Sequence, residues 1–232
     1  MFIPLHDANT LKHIKVQWVT LTLIAANVAI WLFTGFASPD IAKAATVGLG
    51  YIPAVAFDHA ILPPELELIP EPLTYISYAF LHGSFWHLAG NMIFLWVFGD
   101  NVEDAMGHVR FLLFYLLCGI FAGLAHAFMR PDSDVPMIGA SGAVAGVIAA
   151  YLMLHPNVRV WILALFRIPL RVSAGFALAV WIGLQIISVI YDQGGGTAWW
   201  AHIGGLIAGA VLILFMRKPG IPLFDRSTGI TT

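Results

Sequence analysis

Residues 137–155 read MIGASGAVAGVIAAYLMLH, with one hydroxyl, Ser141, set among Gly139, Ala140, Gly142, Ala143, Ala145 and Gly146. The apolar run that follows, Ser141–Leu154, falls short of the ~20 residues a lipid-facing helix needs. Its small side chains instead let other helices come close, which suits the centre of a bundle. Two readings of the glycines compete. Gly142 and Gly146 form a small-xxx-small packing face, or they clear space around a reactive oxygen. The rest of the chain has to decide between them.

The 232 residues are 59% hydrophobic and only 10% charged, with a mean hydropathy of +0.85. Soluble domains carry roughly 25% charged residues, so a bilayer is the natural solvent for this chain. The formal net charge of −2 gives no footing to a nucleic-acid partner. A single cysteine, Cys118, excludes a disulfide within the chain. The N-terminal stretch MFIPLHDANTLKHIK lacks the apolar core of a cleaved signal, and the run after Lys15 reads as an uncleaved anchor.

Six membrane helices are expected, at 16–36, 85–99, 109–129, Ser141–Leu154, 170–191 and Trp199–Met216. The fold class is therefore an all-α six-helix membrane bundle spanning 16–216, with tails at 1–15 and 217–232. Lys and Arg collect on the cytoplasmic side. Nine of them fall in the two tails and in or beside the second and fourth loops, against two in or beside the first, third and fifth. Both termini are expected inside. The long first loop, 37–84, mixes prolines with aromatic residues and is expected to lie partly embedded at the outer interface.

This orientation brings separated polar residues to one depth. His82 precedes the second helix, His87 opens it, and Asn91 follows one turn deeper. Ser141 opens the fourth helix and His202 lies near the start of the sixth, AHIGGLIAGA. Polar groups inside membrane helices are costly and face the interior or a water-filled cavity. A Ser and a His at one depth can act as nucleophile and base, since imidazole titrates near neutrality. Candidate oxyanion donors are the Ser141 backbone N–H, the Asn91 amide and a ring N–H of His87.

Alternatives stay open on the residues alone. His126 is a rival base. Asp132, Asp134 and Asp192 lie on the correct side for a third member, although a two-residue dyad is simpler. Asp100, Glu103 and Asp104 close the second helix at the opposite end and read as a cap or as partners for Arg110. His59, His108 and His155 have no evident partner. Metal hydrolysis would want H-E-x-x-H, and HGSFWH has neither that spacing nor an acid. An aspartyl mechanism wants two interior carboxylates, and a transporter wants interior charge or an inverted repeat. None of these is evident. Gly205 and Gly209 could be a packing face only.

Taken together, HGSFWHLAGN (His82, His87, Asn91), GASGAVAG (Gly139, Ser141, Gly142) and AHIGGLIAG (His202, Gly205, Gly209) resemble the rhomboid intramembrane serine proteases. The resemblance runs from about Pro70 to Met216. It implies peptide-bond hydrolysis within the membrane, with Ser141 as nucleophile, His202 as base, and His87 and Asn91 on the oxyanion. Gly139 and Gly142 then give the substrate room to approach, and Gly205 and Gly209 serve packing. The implied substrates are single-pass membrane proteins with small residues at the cut, and no metal or organic cofactor is implied. A non-catalytic membrane-protein binder or chaperone of the same fold is the alternative. The absence of a transit peptide leans towards a prokaryotic plasma membrane. Two departures stand out. Many relatives have a Trp-Arg pair in the first loop where this chain has Leu73-Thr74. Some stack an aromatic ring on the base from the position of Ala145.

Overall fold

The computed structural model describes residues 2–165, 167–191 and 197–226. A short strand, β1 (Phe2–Asp7), precedes the first long helix, α1 (Trp18–Gly35). The first loop folds into α2 (Pro39–Leu49), α3 (Pro53–Ala56) and α4 (Glu71–Ser77), with one 3-10 turn before α4 and another after it. Then come α5 (Phe85–Met106), α6 (His108–Met129), α7 (Ser141–Leu154), the strands β2 (Arg159–Ala164) and β3 (Ile168–Ser173), α8 (Ala174–Ile190) and α9 (Trp199–Met216).

The expected central helix is central. Along α7 only Ser141, Leu152 and Met153 escape full burial, and the helix lies against α5, α6 and α9. Outward-facing apolar side chains mark the surface meant for lipid: Phe33 on α1 is 74% exposed and Phe215 on α9 is 77% exposed. Among the described residues α1, α6 and α9 are each long and apolar enough to cross a membrane, and α7 and α8 are shorter apolar helices.

Three expectations need correcting. The second helix does not stop near residue 99 but continues to Met106, taking Asp100, Glu103 and Asp104 into its last two turns. These carboxylates are tolerated there because they are bonded. Asp104 accepts the backbone N–H groups of Lys12 (3.0 Å), His13 (2.6 Å) and Ile14 (2.7 Å). Glu103 accepts from Val19 N (3.0 Å), Thr20 N (2.8 Å) and Thr20 Oγ1 (2.7 Å). It thus satisfies two of the N–H groups that the first turn of α1 leaves open. Glu103 and Asp104 are held by this segment and not by Arg110, while Asp100 accepts from Asn101 beside it.

The molecule is also not wholly helical. β1, β2 and β3 form an antiparallel sheet in that order, so residues 2–7 are a paired strand and not a loose tail. The cause is local: in VRVWIL the side chains alternate, with Val160 and Ile162 buried and Arg159 and Trp161 exposed. Such alternation gives a half-buried strand. The fifth helix accordingly begins at Ala174, four residues later than expected, after Ser173 caps it by accepting Phe176 N–H.

The connections sort themselves into two ends. At one, Ala8 N–H bonds Arg159 O, Lys218 N–H bonds Ala105 O, and Phe224 N–H bonds Met153 O. This end gathers the two terminal segments and the second and fourth loops, which with the first turn of α6 carry nine of the Lys and Arg residues. At the other, Tyr51 and Met137 form a backbone bridge and His59 bonds Asp132 (2.8 Å), joining the first and third loops.

Candidate active site

The site is built on a contact between α7 and α9 that has no side chains in it. A Cβ on Gly205 would lie 1.9 Å from Gly142 O, and one on Gly209 would lie 2.2 Å from Gly146 O. Both positions are a turn apart on each helix, so the two backbones touch along one line. The opposite edge of α7 is as tight against α6, where Cβ atoms on Gly142 and Gly146 would meet Ala122 (2.4 Å) and Cys118 Sγ (2.4 Å). These distances are those of close packing, the first of the two readings of these glycines. Close packing is what brings Ser141, beside Gly142, to His202, one turn before Gly205.

His202 Nε2 and Ser141 Oγ are 2.8 Å apart. The other ring nitrogen, Nδ1, is 2.7 Å from Gln185 Oε1. The Gln185 amide NH₂ points instead to Trp181 O (3.5 Å), which orients its oxygen towards the ring. A carbonyl oxygen can only accept, so Nδ1–H is the donor. Nε2 is then left unprotonated, and the Ser141 hydroxyl donates to it. His202, Gln185 and Asn91 are all buried.

His87 and Asn91 line the same cavity, of about 630 Å³, as Ser141 and His202. Gly139 is what lets His87 in. Its φ is +120°, and a Cβ there would lie 2.6 Å from the imidazole Cε1 and Nε2, so both backbone angle and space call for glycine. Among the described residues the His87 ring makes no hydrogen bond. Asn91 Nδ2 bonds His82 Nε2 (3.1 Å), whose ring meets that of His87 edge to face at 5.0 Å. His82 thus steadies the Asn91 amide, leaving its second N–H free to point elsewhere. Ser141 is the first residue of α7, where backbone N–H groups lack helical acceptors.

The other candidates fall away from the nucleophile. Among the described residues no carboxylate lines this cavity. Asp132 is taken by His59, Asp134 does not line the cavity, and Asp192 lies outside the described residues. His126 lines a neighbouring cavity with Arg130, while the serine's partner is His202. His108 donates to Glu103 (2.5 Å), and the His155 ring meets Tyr151 edge to face. Leu73 and Thr74 lie in α4, Leu73 exposed and Thr74 buried with its hydroxyl on Glu71 O (2.7 Å).

Sequence reasoning missed two groups, both on α8. Trp181 lies nearly parallel to the His202 ring, 28° between planes and 6.3 Å between centroids. It supplies the aromatic support that Ala145 cannot. Gln185 takes the place where a carboxylate was sought. The signal was present: in AGFALAVWIGLQIISVI the glutamine is the one polar side chain able to accept from an imidazole before the final turn, and polar groups in apolar helices face inwards.

Fold and site together define a membrane-embedded helical protein with a serine hydrogen-bonded to a histidine in one cavity. Residues 70–219 match the Rhomboid domain model, and the chain belongs to the rhomboid family. It is 28% identical to Rhomboid protein 1, mitochondrial, of Saccharomyces cerevisiae, over 66% of this chain and 44% of that one. It is 29% identical to Rhomboid-like protein 11, chloroplastic, of Arabidopsis thaliana, over 62% of this chain and 52% of that one. It is 30% identical to the human Presenilin-associated rhomboid-like protein, mitochondrial, over 63% of this chain and 38% of that one. The chain thus spans about half, or less, of the length of these relatives. Their names place them in mitochondria and chloroplasts, against the expectation of a prokaryotic plasma membrane.

Proposed function

We propose that this protein is an intramembrane serine endopeptidase whose six membrane-embedded helices are α1, α5, α6, α7, α8 and α9. The observation that carries the reading is the 2.8 Å pairing of His202 Nε2 with Ser141 Oγ in a cavity shared with His87 and Asn91. Membership of a family composed in general of intramembrane serine proteases supports it.

In this reading Ser141 Oγ attacks the substrate carbonyl carbon as its proton passes to His202 Nε2. The oxyanion is met by the Ser141 N–H, the Asn91 amide and a His87 ring N–H. Collapse expels the amine, which takes the proton from His202, and leaves an acyl group on Ser141. Water, deprotonated by the same imidazole, then releases the acid. The substrates are single-pass membrane proteins with small residues at the cut, because a helix must unwind before its carbonyls can be reached. They approach from the end of the bundle that carries few Lys and Arg residues, the outer side by the charge asymmetry.

Wild type, Ser141→Ala and His202→Ala, each purified in detergent, test this against a single-pass reporter with a glycine-containing membrane segment. Both substitutions should lower the rate by ~10⁴–10⁶ without unfolding the protein. Cleavage by Ser141→Ala at the wild-type rate would sink the mechanism. A folded wild type that neither cleaves nor takes a fluorophosphonate label would favour a binder of the same fold.

A further inference from the structure

We infer that Gln185 is a positioning residue for the base: its side-chain oxygen holds the proton of His202 on Nδ1 and so keeps Nε2 open to Ser141. This rests on the serine-protease reading of the site. A neutral imidazole has two tautomers, and only the one protonated at Nδ1 can take the serine proton through Nε2. Something must favour that form, and among the described residues no carboxylate lines the cavity to do so. The Gln185 carbonyl is 2.7 Å from Nδ1, and carbonyl oxygens only accept.

Three features show a group set for this purpose. Gln185 is 7% exposed, so its amide loses water and needs partners. Its NH₂ group turns back to Trp181 O in its own helix (3.5 Å), leaving the oxygen on the histidine side. Trp181, four residues earlier and on the same helix face, covers the imidazole plane. The base is thus carried by α9 but oriented from α8. A neutral acceptor also suits an apolar setting, where an unpaired carboxylate would bear a desolvation penalty. The titratable groups near His202 on other helices, His87 on α5 and His126 on α6, are both imidazoles and provide no anion.

Gln185→Met keeps length and packing but removes the carbonyl, with Gln185→Leu as substitute if the Met variant does not fold. Gln185→Glu retains an acceptor oxygen at the same reach. In Gln185→Met, kcat should fall ~10–100-fold, part of the 10²–10⁴ that a positioned base contributes. KM and the melting temperature should stay near wild type, and Gln185→Glu should recover most of the rate. Nitrogen-15 spectra of the histidines, with His202 assigned by difference against His202→Ala, read the tautomer without any turnover. Wild type should be protonated at Nδ1 and Gln185→Met should show a mixture. Wild-type kcat in Gln185→Met, or an unchanged tautomer, overturns the inference while leaving the protease reading intact. A folded wild type that is inert to substrate and label overturns the protease reading instead, and the spectra still judge the hydrogen bond.

Discussion

The two ends of the bundle both bury polar side chains, and they use them in opposite ways. At the basic end the acceptors are filled. Asp104 takes three backbone N–H groups, Glu103 takes the start of α1 and His108, and Asp7 takes Tyr151 Oη (2.5 Å) and Asn101 Nδ2 (3.1 Å). At the Ser141 end His87 and the first residues of α7 line a cavity instead. At the basic end buried polarity is an anchor, because these carboxylates are met by the protein's own donors.

The sharpest way to break this division is at the glycine contact, which belongs to both fold and site. Gly205→Ala puts a methyl group 1.9 Å from Gly142 O and must push α7 and α9 apart. Overpacking costs ~1–3 kcal/mol, and a shift of about 1 Å in reacting groups costs ~10² in rate. Turnover and melting temperature should therefore both fall. A fully active Gly205→Ala protein would mean that the contact does not set the dyad distance.

Asp104→Ala should do the reverse. Three N–H groups lose a charged acceptor, costing about 2–4 kcal/mol of stability, while kcat per folded molecule stays within about twofold. Chemical denaturation beside active-site titration separates the two. A large fall in kcat would show that the ends are not independent. Trp181→Leu tests the active end more gently: it removes the ring over His202, and kcat should drop about 3–10-fold, a cost of ~1 kcal/mol, with Trp181→Phe closer to wild type.

Asp7 makes the anchored end sensitive to pH. Burial pushes its carboxyl up to about 6 from 3.8, against the opposing pull of Tyr151 and of backbone N–H groups. The folded state therefore holds this proton more tightly than the unfolded chain does. That advantage is complete below about pH 4 and is lost as pH rises through about 6, a change on the order of 3 kcal/mol at 1.36 kcal/mol per unit. Asp7→Asn should flatten the wild-type fall in melting temperature between pH 4.5 and 7. Equal slopes in the two proteins would refute this. The smallest effect is expected at Gly183 on α8, where an added Cβ meets nothing within 4 Å. Gly183→Ala should leave turnover unchanged and add about 0.5–1 kcal/mol of stability.

Much of the site was legible because its signals were of one kind. Ser141–Leu154 and Trp199–Met216 stand with the bounds that hydropathy suggested, and Ser141, His202, His87 and Asn91 do meet at one cavity. What escaped had a different physical basis. The sheet was missed because Ile168–Ser173 is a short apolar run, which periodicity cannot tell from a helix start. The last turns of α5 were missed because hydropathy scores a charge without knowing whether it is bonded. Gln185 escaped because the search was for an anion, while the fold uses a dipole.

The manner in which α8 is mounted gives it leverage. The strand β3 runs straight into the helix through Ser173, so one end is moored to a three-stranded sheet. Gln185 stands eleven residues from Ala174, roughly 16 Å along the axis at 1.5 Å per residue. A swing of about 10° around that mooring would sweep its amide through roughly 3 Å, more than the 2.7 Å that now separates it from His202. A small tilt of one rod is thus enough to part the amide from the imidazole while Ser141 and His202 stay in register.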